Sequence, residues 1–375
     1  MAERVLIAPD KFKGTLPAVE VAARLAAGLS RAGVDAEVVS LPVADGGDGT
    51  VEAAVSAGYR RVEMGVRGPT GRPVTASFAL RDGTAVIEAA QACGLSLLPA
   101  DSLAPLTAAS RGVGELILGA TRMGAKQIML GLGGVATTDG GAGLVRALGA
   151  RLTDDSGFDL PPGGAALAGL HALDLSGMRD LSGVEFLVAS DVDNPLLGPS
   201  GAARVYAPQK GASPDDVKLL EAGLERWADV AEEACGRTVR DVPGAGAAGG
   251  LGFAALLFLG ARLHPGIELL LEMLSFRQYL DGARLVITGE GSLDAQSLHG
   301  KAPVGVARAA AGHDPAVPVV AVAGVCTLPD AGLHEAGISA AYTLSDIEPD
   351  AARCMANAGP LVEKLAERIA DDWLR

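Results

Sequence analysis

Residues 4–13 read Arg-Val-Leu-Ile-Ala-Pro-Asp-Lys-Phe-Lys. The apolar run over residues 4–9 has the length of a buried strand, and Pro9 closes it because proline brings no N–H to a ladder. One acid and two lysines then stand at the strand's carboxyl end. Residues 17–32 keep helical spacing behind Pro17, which suits a first turn, and residues 36–43 form a second strand. Strand, helix, strand at this spacing opens a parallel sheet. The same alternation returns late in the chain. Residues 284–289 (RLVITG) read as a strand, 304–310 as a helix, 318–324 (PVVAVAG) as a strand, 340–344 as a last short strand, and 357–373 as a long helix. Between them the period changes. Residues 61–66, 73–80 and 84–88 alternate apolar and polar around the turn signals GPTG and RDG, the pattern of an antiparallel meander. A helix over 107–123, a strand QIMLGL, a strand over 184–189, an amphipathic helix over 214–235 and a helix over 265–280 follow. The expectation is an α/β protein of two domains, one inserted in the other: residues 1–60 plus 283–375 outside, 61–282 inside.

The composition agrees and excludes several function classes. A chain of 375 residues with 49% hydrophobic residues can build two cores. The formal charge of −14 repels a phosphate backbone, so nucleic acid is not an expected partner. Cys93, Cys235, Cys326 and Cys354 are far apart with no CxxC pair, which fits free thiols in a reducing compartment. There is no signal-peptide pattern and no apolar run long enough to span a bilayer, so a cytoplasmic protein without a membrane partner is expected.

The chemistry sits in loops that follow strands, where ligands of open α/β sheets bind. Asp10, Lys11 and Lys13 follow the first strand; Asp45, Gly46, Gly47 and Asp48 follow the second. Residues 131–143 (GLGGVATTDGGAG) offer Gly133, Gly134, Thr137 and Asp139 as an anion cradle, since glycine lets N–H groups converge on phosphate. Asp191, Asp193 and Asn194 present hard oxygens suited to Mg²⁺, or to taking a proton from a hydroxyl; Pro195 and the lack of a later Glu rule out an EF-hand. Lys210 in APQKGA is a candidate phosphate contact. Residues 243–252 (PGAGAAGGLG), with Gly246, match GxGxxG but follow no strand, so they read as a phosphate or hinge loop rather than a dinucleotide fingerprint. Gly289, Glu290, Asp294 and Lys301 lie in TGEGSLDAQSLHGK, which lacks the spacing of a Walker A motif. Helix caps and ordinary Asp/Asn turns are the plain structural readings of several of these loops. Among five histidines only His299, beside Gly300 and Lys301, stands near such a loop, and Trp227 and Trp373 read as packing residues. Acids, lysines and glycine cradles without an activated Ser or Cys suit phosphoryl transfer.

The wording of six blocks goes further: IAPDKFKGTL, PVADGGDGTVEA, GLGGVATTDGGAG, SDVDNPLLGPSGAA with APQKGA, PGAGAAGGLG, and LVITGEGSLDAQSLHGKAP. In this order they resemble the bacterial glycerate kinases of the glyoxylate/glucarate-pathway type. Lys11 stands where that family often has Ser, and Val135-Ala136-Thr137-Thr138 where it often has Ser-Ala-Thr-Asn. The resemblance implies a Rossmann/flavodoxin-like domain carrying a second α/β domain. It implies transfer of the ATP γ-phosphoryl group to D-glycerate, giving 2-phosphoglycerate, with ATP and Mg²⁺ as cofactors. A homodimer is left open. So are a kinase of another small hydroxy acid, a metabolite-binding protein on the same fold and, from the GxGxxG match, an oxidoreductase.

On that footing Lys13 is expected to hold the glycerate carboxylate, and Asp45 and Asp191 to order the reacting hydroxyl, with Asp191 as base. Asp193, or Asp294 with Glu290, would serve Mg²⁺, and Lys210 or Lys301 would neutralise the transferring group. The two domains would close over both substrates.

Overall fold

The computed structural model describes residues 3–375, apart from the side chain of His299. In chain order the strands are β1 (Arg4–Pro9), β2 (Glu37–Ser40), β3 (Arg60–Arg67), β4 (Pro73–Arg81), β5 (Thr84–Glu88), β6 (Gln127–Gly131), β7 (Arg151–Thr153), β8 (Ala172–Asp174), β9 (Glu185–Ala189), β10 (Arg262–His264), β11 (Ala283–Leu293), β12 (Val319–Cys326) and β13 (Ala340–Thr343). Two compact units share them. The first comprises the stretch ending at Asp45, Glu52–Gly58 and Pro265–Arg375; the second comprises Gly46–Val51 and Tyr59–His264.

The first unit is a five-stranded sheet in the order β13-β12-β11-β1-β2, parallel throughout. Counted within the unit, this is the 2-1-3-4-5 order of a flavodoxin-like doubly wound sheet. Val5, Ile7, Leu285 and Ile287 are buried on one face beneath the helices Ala18–Arg31 and Ala358–Trp373. Leu6 and Val286 are fully buried too. Strands covered on both faces must be apolar at consecutive positions, which is why they were legible as runs. The two helices touch at Gly28, where a Cβ would lie 2.3 Å from the Glu363 carbonyl oxygen. Arg24 and Arg31 both pair with the Glu363 carboxylate there, at 2.8 and 2.7 Å.

The second unit holds a six-stranded sheet in the order β10-β9-β6-β5-β4-β3. β10, β9, β6 and β5 run parallel, while β5, β4 and β3 form the antiparallel meander that the alternating pattern predicts. β7 and β8 make a separate two-stranded ribbon.

The units differ from the expected division at three places, the smallest being Tyr59 and Arg60, which fall in the second unit. Residues 265–282 pack in the first unit: the helix Gly266–Met273 sets Ile267 over Gly305, where a Cβ would be 2.5 Å away. Gly46–Val51 packs with the second unit, because Gly49 N–H and Val51 N–H both donate to the buried Glu88 carboxylate. The helix expected over 265–280 breaks at Ser275, whose φ of 55° ends one helix before Phe276–Leu280 begins. Among the described residues, no helix is long and apolar enough to cross a membrane.

Candidate active site

In the first unit the strand order reverses between β1 and β11, and the loops leaving these strands diverge there. A cavity of about 790 Å³ opens at this point. Its lining carries Asp10, Lys11, Lys13, Asp45, Glu290 and Lys301 together with the apolar Val325, Leu344 and Met355. Crevices beyond the carboxyl ends of strands at such a switch point are where doubly wound sheets take ligands.

Asp10 is held at the cavity floor. Its N–H donates to the Gly289 carbonyl at 2.8 Å, continuing the β1/β11 pairing, and its carboxylate accepts the Lys11 N–H at 2.6 Å. Only 7% of the residue is exposed. Burial pushes its carboxyl up to about 7; the Lys11 cation opposes this, and the nearby charges of Asp45 and Glu290 add to it. Gly289 serves the sheet itself, since a Cβ there would stand 2.2 Å from the Val322 carbonyl oxygen. Glu290 accepts a short hydrogen bond from the Ser297 hydroxyl and lies 3.8 Å from the Lys301 ammonium. Burial raises its carboxyl, with Ser297 and Lys301 opposing. Asp294 receives the Gln296 N–H at 2.8 Å, which shapes its own turn. Lys13 is exposed at the cavity rim, and Asp45 is half-buried.

The expected loops of the second unit are brought together backbone to backbone. Gly46 has φ near 90°, and a Cβ there would lie 2.7 Å from that of Ala189. A Cβ on Gly133 would lie 2.5 Å from Gly47 Cα, one on Gly134 2.6 Å from Asp48 Oδ1, and one on Gly246 2.2 Å from the Pro195 carbonyl oxygen. These glycines therefore let loops interlock, besides any ligand they serve. Asp191 and Asp193 are exposed after β9. Asn194 is spent on the loop, accepting from Tyr206 at 2.5 Å and donating to the Ser200 carbonyl at 2.7 Å.

Several of the expected residues are engaged within the protein itself. Asp139 is 1% exposed and accepts from Ser110 N–H and Oγ–H at 2.9 Å each, from Gly143 N–H at 3.1 Å and from Gly141 N–H at 3.2 Å. Its oxygens tie the glycine loop to the start of the helix Arg111–Arg122, three of the four bonds falling on Oδ2. Thr137 is fully buried, and its carbonyl receives the Lys210 ammonium at 2.5 Å. Lys210 is thus an internal strut, 3% exposed, rather than a surface phosphate contact. Among the described residues no three metal-ligating side chains converge, and the expected Mg²⁺ ligands, Asp193 or else Asp294 with Glu290, ask for no such cage.

Burial pushes the Lys210 ammonium from 10.5 down to about 8, with Cys93 and Asp139 pulling the other way. Between about 8 and 10.5 the unfolded chain binds more protons at this residue than the folded one, so its contribution to stability rises with pH across that window. Below the window the burial penalty is fully in force. Lys210→Met removes the titration. The stability difference between wild type and variant, from urea unfolding at pH 7.5 and 10, is expected to shift by roughly 2–3 kcal/mol. Parallel profiles would put the ammonium in water.

A family model described as the glycerate kinase family matches residues 5–374. The chain belongs to the glycerate kinase family. It is 45% identical to a glycerate kinase of Bacillus subtilis strain 168 over 98% of this chain and 97% of the relative. It is 46% identical to a glycerate 2-kinase of Escherichia coli K12 over 91% and 90%. A crystal structure of the Salmonella typhimurium LT2 protein ascribed as glycerate kinase 2 superposes with a TM-score of 0.86 at 41% identity, covering 99% of this chain and 98% of that one.

Glu88 was missed by sequence reasoning, although an acid ending an apolar strand (TAVIE) is a readable signal. Its carboxylate organises the loop containing Gly46 and Gly47 from beneath. Ser110, the partner of Asp139, gave no signal at all, because it sits 29 positions away in an ordinary helix start. The side chain of His299 lies outside the described residues.

Proposed function

We propose that this chain transfers the γ-phosphoryl group of ATP to the 2-hydroxyl of D-glycerate in the cytoplasm, releasing ADP and 2-phosphoglycerate. Kinship with a glycerate 2-kinase at 46% identity supports the acceptor and the position. The observation that carries the chemistry is Asp10, a buried carboxyl near pH 7 in a cavity also lined by three lysines.

A general base works best when its pKa lies near the working pH. Asp10, once ionised, takes the hydroxyl proton as the glycerate oxygen bonds to the γ-phosphorus and the bond to the β-phosphate oxygen breaks. Lys11, Lys13 and Lys301 supply positive charge to the phosphates and to the glycerate carboxylate. The apolar side chains of Val325 and Met355, both substantially exposed, suit the face of an adenine. Asp45 remains a candidate for ordering the hydroxyl, and Asp191 for the base in place of Asp10.

Mg²⁺ needs only one or two protein carboxylates when phosphates complete its shell, so the lack of a three-acid cage does not count against it. Glu290, a hard oxygen donor facing the cavity, fits that demand, with Asp294 and Asp193 as the other expected ligands. When bound there, the ion would supply neutralisation of the phosphate charge.

The test is glycerate-dependent ADP release with Mg-ATP and the product identified by ³¹P NMR. A 2-phosphoglycerate resonance is expected, and chelation with EDTA is expected to abolish turnover. A 3-phosphoglycerate product would overturn the position assigned, and ADP release indifferent to glycerate would overturn the acceptor.

A further inference from the structure

Three guanidinium groups surround a second cavity, of about 290 Å³, within the second unit: Arg67 at the end of β3, Arg111 at the start of the helix Arg111–Arg122, and Arg146 in the helix Ala142–Ala147. The chain as a whole carries −14, so a cationic pocket has to be built locally. One carboxylate answers two of them. Glu115 lies 3.3 Å from Arg111 Nε and 3.8 Å from Arg67 Nε, and also accepts the Arg67 N–H at 2.7 Å. Arg146 donates to the Leu160 carbonyl at 2.8 Å and makes no ion pair among the described residues. Its half-buried guanidinium is pushed below its ordinary value by burial and then by the like charge of Arg111, opposed by Asp159. Two positive charges are therefore left over in a concave site walled by Leu152, Leu160 and Pro161. The first turn of a 12-residue helix with no acid in it adds the positive end of a dipole.

We propose that this pocket is a second anion site, separate from the substrates, which takes a small phosphate monoester dianion. Two surplus guanidiniums match one dianion, and forked donors suit phosphate oxygens better than a lysine would. The volume admits a phosphorylated compound of a few carbons and excludes a nucleotide. The site is also wired to the glycine loop. Gly143 lines the pocket and donates to Asp139, which holds Ser110, the residue before Arg111. An occupant that draws Arg111 and Arg146 together bears on the loop 133–143 and so on turnover. A phosphorylated product of this or a later reaction is the chemistry such a site senses.

The experiment is isothermal titration of wild type, Arg146→Met and Arg146→Lys with inorganic phosphate and with 2-phosphoglycerate. A saturating non-hydrolysable ATP analogue and glycerate are present, so that the reaction site is filled. One site is expected in wild type, weakened tenfold or more in Arg146→Met and largely kept in Arg146→Lys, with KM for ATP and glycerate unchanged in all three when phosphate is absent. Equal phosphate affinity in Arg146→Met and wild type would overturn the assignment. So would a tenfold rise in the glycerate KM of Arg146→Met, which would place the arginines in the substrate site instead.

Discussion

Asp10→Asn is expected to lower kcat by about three orders of magnitude while making the apo-protein more stable above pH 7. The two effects come from the same burial. The folded Asp10 carboxyl titrates near 7 and the unfolded one near 3.8, so between these values the folded state binds more protons. Stability contributed by this residue therefore falls as pH rises through that window, and the penalty is complete above about 7. Asparagine carries no charge to bury and still accepts the Lys11 N–H through its amide oxygen. The gain in unfolding free energy is expected to be roughly 2–4 kcal/mol at pH 8 and to vanish near pH 4. Urea unfolding in EDTA at both pH values measures it, beside the kcat for ADP release. Wild-type kcat is expected to rise with pH through about 7, and the residual rate of the variant to be flat there. A variant less stable at pH 8 would mean that the carboxylate is anchored as an anion. A variant with normal kcat would pass the proton to Asp191, to be tested as Asp191→Asn.

Local pattern carried the parts of the fold whose cause is local. RVLIAP and RLVITG were legible as strands because both faces of their sheet are covered, and the meander because only alternate residues of β3 and β4 meet a core. β7, β8 and β10 have three residues each, too few for any period to show. The expected division and the compact units differ over 265–282 because helical spacing says that a helix exists, not which sheet it covers; Ile267 lies over Gly305. The site divides in the same way. Loops at strand ends could be listed from the sequence, and Asp10, Lys11, Lys13, Asp45, Glu290 and Lys301 do share one cavity. What could not be listed is which acids and lysines turn inward. Lys210 in APQKGA and Lys301 in LHGK look alike as letters, yet one is buried against the Thr137 carbonyl and the other lines the cavity. Glycine-rich wording also leaves two readings together for a related reason. Close approach of two backbones and close approach of a backbone to phosphate require the same missing Cβ.

Trp227→Ala tests how far that interlocking depends on one side chain, and is expected to cost about 3–5 kcal/mol. The indole is fully buried on the helix Pro214–Cys235, stacked on Phe258 at 5.6 Å and edge-on to Phe253 at 6.4 Å between ring centroids. Its Nε1–H donates to the Gly140 carbonyl at 2.9 Å. Gly140 has φ near 61°, and the indole occupies the place a Cβ would need, with Cδ1 2.4 Å from it. Ring and glycine therefore specify each other. Alanine would leave a cavity beside Phe253 and Phe258 and orphan a buried carbonyl in the loop 137–143, and both terms add. Trp227→Phe separates them: it keeps most of the ring volume and loses the N–H, and is expected to cost about 1–2 kcal/mol. Denaturant midpoints at constant slope measure both variants. Because Gly141 and Gly143 hold the same Asp139 that fixes Ser110, the loosened loop should also raise the glycerate KM in Trp227→Phe before any global unfolding is seen. A phenylalanine variant with unchanged KM and a full 3–5 kcal/mol loss would mean that the ring stabilises the core alone, and that the loop draws its shape from Asp139 without help from the indole.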